Sequence, residues 1–420
     1  MQVNTGRQSA AENGGFLQAS AMHNTPSSAA RTNTDLPLWQ LRSRNLLPVV
    51  QGGMGIGISA HRLAGSVARL GALGTLSSVE LRHHHPDLLA RAEHCTEKRE
   101  FDKLNLIALN REVSLALKIA DGRGAIAVNI MKAVSDYAAH VRQSCESGAH
   151  AIVMGAGLPL ELPDLTRDFP HVALLPILSD VRGVSIVLRK WMRKKRLPDA
   201  IIIEHPRYAG GHLGATRPED VGAARFDFKP VISGVAGLLR EMGLESTRIP
   251  LVVAGGIHRH DQIRELISLG AAAAQIGTPF AVTQEGDADP VFKRVLAEAR
   301  AEDIVTFMSV AGLPARAVLT PWLGNYLRRE KALQSNARAD ARRCVQGLNC
   351  LSLCGLRDGI ADIGQFCIDM RLAFALKGDL KKGLFFRGSE SLPFGAAIRP
   401  VSELIDYLLT GAMPALGAGP

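Results

Sequence analysis

The chain has 420 residues, 46% hydrophobic and 21% charged, enough to bury a large core. Its net charge is +9, from 49 Lys and Arg against 40 Asp and Glu, but aromatic residues are only 5% and no recognition motif is present, which argues against a nucleic-acid partner. No window reaches the roughly 18 consecutive apolar residues of a membrane span, and six cysteines at this length do not suggest a secreted disulfide scaffold, so the expected compartment is a reducing cytoplasm.

The first 35 residues are rich in Ser, Ala, Asn and Thr and lack the apolar core of a secretory signal, so they read as a disordered tail. From Leu46 onward one pattern repeats: a short apolar run ends in glycine or a polar residue, and a helical stretch follows. Leu47–Gln51 is the first expected strand, followed by Gly52-Gly-Met-Gly-Ile-Gly57, with Ser59 placed to cap a helix through Leu70. Gly71–Ser77 is the second, and a helix from about Asn105 to Ala120 precedes the third, Ala125–Ile130. The fourth runs into Met154, the fifth is Val172–Leu178 with Ser179 at its end, and the sixth is Ala200–Glu204. Ile249–Ala254 and Ala272–Gly277 complete a set of eight.

These runs are continuously apolar rather than alternating, as in a parallel sheet buried on both faces. Gly-Ala before the second, fourth and eighth fits a glycine just past a helix end. Eight strand–helix units favour an α/β fold of the (β/α)8 TIM-barrel type over an open sheet. The expected organisation is the tail over 1–35, a barrel over 36–305 and a C-terminal extension over 306–420. In the extension, Arg328–Arg343 reads as an exposed charged helix. The basic run Arg189–Arg196 reads as the solvated face of a helix, with an anion-attracting patch as the alternative.

In a barrel, chemistry gathers where the strands end at their C-terminal side. Gly255, Gly256, Gly277 and Thr278 end adjacent strands, where loop N–H groups and a hydroxyl can hold a phosphate. Gln51, Gly52, Gly53 and Met54 end the first strand and Asn129 ends the third, offering bare backbone, a polarizable thioether and an amide. After the sixth strand, Gly210 and Gly211 let backbone approach a flat ligand, and His212 is the one side chain of that run that moves a proton near neutral pH. Arg207 and Tyr208 adjoin these glycines as candidate pocket residues.

Together Pro48–Met54, Val128-Asn129, Ala209-Gly-Gly-His-Leu-Gly214, Ala254–Ile257 and Ala274–Phe280 resemble the nitronate monooxygenase family, once called 2-nitropropane dioxygenases, which is related to flavin-dependent enoyl-acyl-carrier-protein reductases. The resemblance implies an FMN-binding barrel. FMN would be lined by Gln51, Gly52, Gly53, Met54 and Asn129, with Gln275 beside the ribityl chain and Ser179 as a looser polar contact. Gly255, Gly256, Gly277 and Thr278 would hold its phosphate, and His212 would move the proton or, when protonated, stabilise an anionic nitronate. The implied reaction oxidises alkyl nitronates with dioxygen to carbonyl compounds and nitrite. The alternative is an NAD(P)H-dependent flavin oxidoreductase acting on a quinone or an enoyl thioester. A third reading is a non-catalytic flavin-binding scaffold.

Three features depart from the simplest family members: the long tail, the segment Glu204-His-Pro-Arg-Tyr208, and a cysteine-bearing extension expected to lie outside the family's minimal core. Cys344, Cys350, Cys354 and Cys367 lack the spacing of a standard zinc motif, but four thiolates can hold zinc or an iron–sulfur cluster. The run His83-His84-His85 places its side chains on different faces and argues against one shared metal, and Cys145 reads as packing.

Overall fold

The computed structural model describes residues 34–95, 97–244, 249–344 and 349–414. The tail through Asn33 therefore lies outside the described residues. Eight parallel strands close into a barrel: Val49–Gln51, Leu73–Ser77, Ala125–Met131, Ala151–Gly155, Ala173–Leu178, Ile201–Glu204, Leu251–Ala254 and Ala273–Ile276. The ring shuts where the eighth strand meets the first, in the register Ala274 to Val49, Gln275 to Val50 and Ile276 to Gln51. The glycines expected just past helix ends, Gly71, Gly148 and Gly270, all have positive φ, which their lack of a Cβ permits.

The strands are buried on both faces, for different reasons on each. Inward, small and medium residues such as Val50, Ala127, Val153, Ala173, Ile202 and Val252 fill the barrel. Outward, larger residues such as Ile152, Leu174, Ile201 and Val253 meet the helices. The sequence pattern did not reveal that a hairpin, Trp39–Leu41 paired antiparallel with Arg44–Leu46, plugs the barrel floor. Trp39, Leu41 and Leu46 share one cluster with the inward residues, and the Trp39 indole N–H donates to the Leu47 carbonyl at 2.9 Å. With the floor sealed, the open end is the one where the strands finish.

Two local expectations are corrected. Ser59 does not cap the first barrel helix, His61–Arg69; its Oγ accepts from the Met54 N–H at 2.8 Å. That helix starts on Asp287 instead, whose carboxylate accepts from the N–H groups of Ala60, Arg62 and Leu63. The charged helix of the extension is Pro321–Ser335, not Arg328–Arg343. It starts on the Thr320 hydroxyl, while only a short 3-10 turn, Ala341–Arg343, forms beyond it.

After the eighth strand, the strands Ile304–Met308 and Pro314–Val318 form an antiparallel pair to which Gly211–His212 adds as a third. Further on, the backbone at Arg387–Gly388 seats against Gly210. The Arg387 guanidinium fixes this turn by donating to the carbonyls of Leu296, Gly388 and Glu390. The last helix, Val401–Thr410, buries Val401, Leu404, Ile405, Leu408 and Leu409 and packs against both His61–Arg69 and His260–Ser268. It takes the place beside the first barrel helix that an eighth helix would occupy.

The start of His61–Arg69 also rests on a buried carboxylate. Glu112 accepts from the His61 N–H and pairs with His61 Nδ1, both at 2.8 Å, and with His85 Nε2 at 3.0 Å. Burial disfavours its charge, but the bonds from His61 and His85 outweigh this and hold it near 2. The same bond, working against burial, raises His61. The Glu112 contribution is therefore present above its unfolded value and is lost as pH falls toward 2, whereas that of His61 is present below 6.5 and is lost as pH rises through its raised folded value. Glu112→Gln is expected to cost about 3 kcal/mol in urea unfolding at pH 7, with the gap to wild type closing as pH drops below about 4.

Gly210→Ala would place a Cβ 2.5 Å from the Arg387 carbonyl carbon. It is expected to cost about 1–3 kcal/mol and to speed amide exchange across 386–391. Gly237→Ala, in the open on the helix Phe228–Glu241, should stabilise by about 0.5–1 kcal/mol in the same assay.

Candidate active site

A cavity of about 670 Å³ opens at the C-terminal ends of the barrel strands. The strand ends supply its wall: Gly52, Gly53 and Met54 from the first, Asn129 from the third, Ser179 from the fifth, Glu204 from the sixth, Gly255 and Gly256 from the seventh, and Gln275, Gly277 and Thr278 from the eighth. His212 with Gly210 and Gly211 closes one side. Gln51 is the exception among the expected residues. Its amide is fully buried inside the barrel, accepting from the Thr75 N–H at 2.9 Å and donating to the Thr75 carbonyl at 3.0 Å, so it sets the pairing of the first two strands.

The corner between the seventh and eighth strands is built from backbone. Gly255 and Gly256 have φ of +106° and +76°, and a Cβ on either would lie 2.8 Å from the loop that follows the sixth strand, at His205 and Tyr208 respectively. The N–H groups of Gly255, Gly256 and Gly277 find no acceptor among the described residues. The Thr278 hydroxyl accepts from the Gly388 N–H at 3.0 Å, which leaves its own proton to donate. Such a corner has donors without acceptors, the arrangement an anion completes.

Across the cavity, Gly53 lies directly on the Cβ of Asn129, so any side chain there would displace the amide. Gln275 reaches over Gly52, and its Oε1 is buried without a partner. This flat shelf, with an unpartnered amide oxygen and the Asn129 amide facing the cavity, fits the planar donor and acceptor edge of a flavin ring. Ser179 sits against Gly214, where a Cβ would strike its hydroxyl.

His212 is held by the extension. Its backbone pairs with Ala315, and its ring stands edge-on to Phe386, 5.6 Å between centroids. Nε2 is buried in the cavity wall with no partner. Burial pushes the imidazole down to about 4, so it stands neutral at pH 7 as a proton acceptor. Among the described residues no carboxylate pairs with the ring to favour its charge, so a cation there would rest on an anionic ligand.

The sequence reading missed Glu204 as a cavity residue. Its carboxyl faces the cavity without a hydrogen-bond or ion-pair partner among the described residues, and burial pushes it up to about 7. The signal was an acid directly after three buried isoleucines, at the end of a barrel strand where side chains turn toward the mouth. It also missed Phe386, Arg387 and Glu390, which reach the cavity only because the extension folds back. Tyr208 lines the cavity, whereas Arg207 turns away and donates to the Gly222 carbonyl at 3.0 Å. The three consecutive histidines diverge: His84 contacts the Gly57 carbonyl, His85 pairs with Glu112, and His83 is half-buried and pushed down to about 3 by that burial. Cys145 is buried in its helix and pushed up to about 12 by burial, as a packing thiol is.

Comparisons with known proteins agree with this geometry. The family model for nitronate monooxygenase matches residues 39–411. The matched span takes in the cysteine-bearing segment. A probable nitronate monooxygenase of Bacillus subtilis is 25% identical over 286 residues, 66% of this chain and 77% of that protein. A nitronate monooxygenase of Pseudomonas aeruginosa is 33% identical over a shorter stretch, 26% of this chain and 29% of that one. Among solved structures, FabK from Thermotoga maritima aligns with a TM-score of 0.57 at 22% identity, covering 86% of this chain and 91% of its own. Nitroalkane oxidase from Streptomyces ansochromogenes aligns with a TM-score of 0.56 at 22% identity, covering 86% and 94%. The structural likenesses speak for the shared barrel fold. No described helix is long and apolar enough to cross a membrane. The closed barrel, its glycine-lined mouth and the match across residues 39–411 lead to one conclusion: this chain belongs to the nitronate monooxygenase family of flavin-dependent oxidoreductases.

Proposed function

We propose that this enzyme binds FMN and oxidises alkyl nitronates with dioxygen to carbonyl compounds and nitrite. The observation that carries the reading is His212, a titratable ring in the wall of a glycine-lined cavity at the mouth of the barrel. Gly52, Gly53, Met54 and Asn129 would line the flavin ring, Gln275 would flank the ribityl chain, and Gly255, Gly256, Gly277 and Thr278 would take the phosphate. Gly210 and Gly211 keep backbone, not side chain, near the ring, and Ser179 adds a hydroxyl. Gln51 serves the site only by fixing the first strand. When bound, FMN supplies the one-electron chemistry toward substrate and dioxygen that no side chain here has.

The chain's own residues do the rest. A neutral nitroalkane must first lose the proton on the carbon that bears the nitro group. The neutral His212 imidazole accepts that proton, and an anion formed beside it favours the resulting cation. Phe386 and the strand Pro314–Val318 hold the ring in place and keep water from it. Val134, Leu351, Ile368 and Leu372 also line the cavity, more apolar surface than a short alkyl nitronate covers. That surface favours a longer substrate and supports the second reading, an NAD(P)H-dependent flavin oxidoreductase acting on a quinone or an enoyl thioester.

An anaerobic titration of the FMN-reconstituted protein separates the two. Bleaching of the flavin by ethyl nitronate but not by NADH or NADPH is the expected result; rapid bleaching by reduced nicotinamide alone would establish the second reading instead. His212→Ala should lower kcat/KM on neutral nitroethane by about 10²–10⁴, and by less than about tenfold on preformed ethyl nitronate. The acid limb of kcat/KM for nitroethane should fall near pH 4, the value of His212 in the free enzyme; a limb near pH 7 would point to Glu204 as the base. Gly53→Ala, which drives a methyl into Asn129, should weaken FMN binding at least about tenfold in a fluorescence-quenching titration.

A further inference from the structure

The cavity is wider than its glycine rim, and an arm leaves it beside the loop after the first strand. There a Cβ on Gly55 would lie 2.7 Å from Val79, and Leu372 packs in the apolar cluster that holds Ile56 and Ile58. One wall of the arm is the helix Lys98–Ala120. Lys98, Phe101, Asp102 and Asn105 line it at the i, i+3, i+4 and i+7 spacing of a single helix face. The Lys98 and Asp102 side chains are 32% and 31% exposed, whereas Phe101 and Asn105 are 6% and 5% exposed. The arm therefore meets solvent at the helix start and is buried further along. A second wall is the helix Ile368–Leu376, with Ile368, Leu372 and Ala375 on one face. Val134 and Leu351 form a third side, paired across an antiparallel bridge. The Ser135 N–H donates to the Cys350 carbonyl at 3.0 Å and the Ser352 N–H to the Ala133 carbonyl at 2.9 Å, which fastens the extension to the loop after the third strand. Among the described residues no three His, Cys, Asp or Glu side chains are placed to hold a metal, so the four cysteines of this segment are not gathered as ligands.

The charged groups along the arm are engaged with one another. Lys98 pairs with Asp102 at 2.6 Å and His140 with Asp136 at 3.2 Å. Glu80 pairs with Arg82, and Asn105 bridges the two, accepting from Arg82 at 3.1 Å and donating to Glu80 at 3.0 Å. Burial raises the Asp369 carboxyl, which favours its neutral form. A phosphate-bearing tail drawn into the arm would meet Glu80, Asp102 and Asp136, whose cations are already taken, and would have to leave water for them. An uncharged chain carries no such cost and gains from Phe101, Val134, Leu351, Ile368 and Leu372.

We infer that this arm receives an unbranched, uncharged alkyl chain of the substrate, lying between Phe101, Val134, Leu351 and Leu372, with the reacting carbon toward His212. The run from Lys98 to Asn105 covers roughly 10 Å of helix, about the extended length of an eight-carbon chain. The inference rests on the nitronate reading and deepens it: the preferred substrate is then a primary nitronate near octyl in length rather than ethyl nitronate.

Two measurements on the FMN-reconstituted full chain test it. Calorimetric titration with 1-butanol, 1-hexanol and 1-octanol, which cannot react as nitronates, reads the arm without turnover. Steady-state kinetics on ethyl, butyl and octyl nitronates reads it with turnover. Affinity and kcat/KM are expected to rise about two- to fourfold for each added carbon, at least about 60-fold from ethyl to octyl nitronate. Leu372→Trp, which fills the arm, should remove at least about nine-tenths of the octyl gain and leave kcat/KM for ethyl nitronate within about twofold. A flat series in both measurements, or an octyl gain that survives Leu372→Trp, would overturn the inference. If Leu372→Trp misfolds by circular dichroism, the wild-type series decides alone. Alcohol binding that strengthens with chain length, without oxidation of any nitronate, would uphold the arm as a chain site and overturn the nitronate reading instead.

Discussion

The site depends on the closure of a parallel ladder between a four-residue strand and a three-residue one. Val49–Gln51 must pair with Ala273–Ile276 on one side and with the second strand on the other. The buried Gln51 amide bridges to Thr75 across that short strand and supplies hydrogen bonds its length does not. Once the ring is shut, every strand ends on the same rim. Residues from positions 52 to 278 then face one cavity, although their order in the chain says nothing of their distance.

Closure also explains why the rim is rich in glycine. Strands packed this tightly leave little room where their ends turn outward, and the next loop crosses immediately above. At Gly53 and Gly255 the neighbour occupies the space of a Cβ, so backbone N–H groups and a bare peptide face become the lining. A surface of that kind presents donors to an anion and a flat shelf to a ring. The wall is completed by residues that titrate, His212 and Glu204, and burial moves the two in opposite senses, the base down and the acid up.

The extension is part of this machinery. It supplies the strand that holds His212, the phenyl ring against it and the turn at Arg387–Gly388 that seats on Gly210. It also returns the helix Val401–Thr410 to the barrel wall, where its apolar face is buried against the helices that follow the first and seventh strands. Cys350 and Leu351 of the extension also line the cavity.

The sequence by itself determined the eight strands, because continuous apolar runs between helical stretches fit a parallel sheet buried on both faces, and it determined the glycine ends, because glycine after such a run marks a tight turn. His212 and the Gly255 to Thr278 corner were legible for the same reason. Only the tertiary structure decided the role of Gln51, whose amide turns inward, and of Glu204, whose carboxyl turns to the mouth; a strand-end residue faces either way depending on the ring's closure. The floor hairpin, the Asp287 start of the first helix and the contacts of Phe386 and Arg387 join residues far apart in the chain. No local pattern encodes such contacts, since they form only when the extension folds back over a finished barrel.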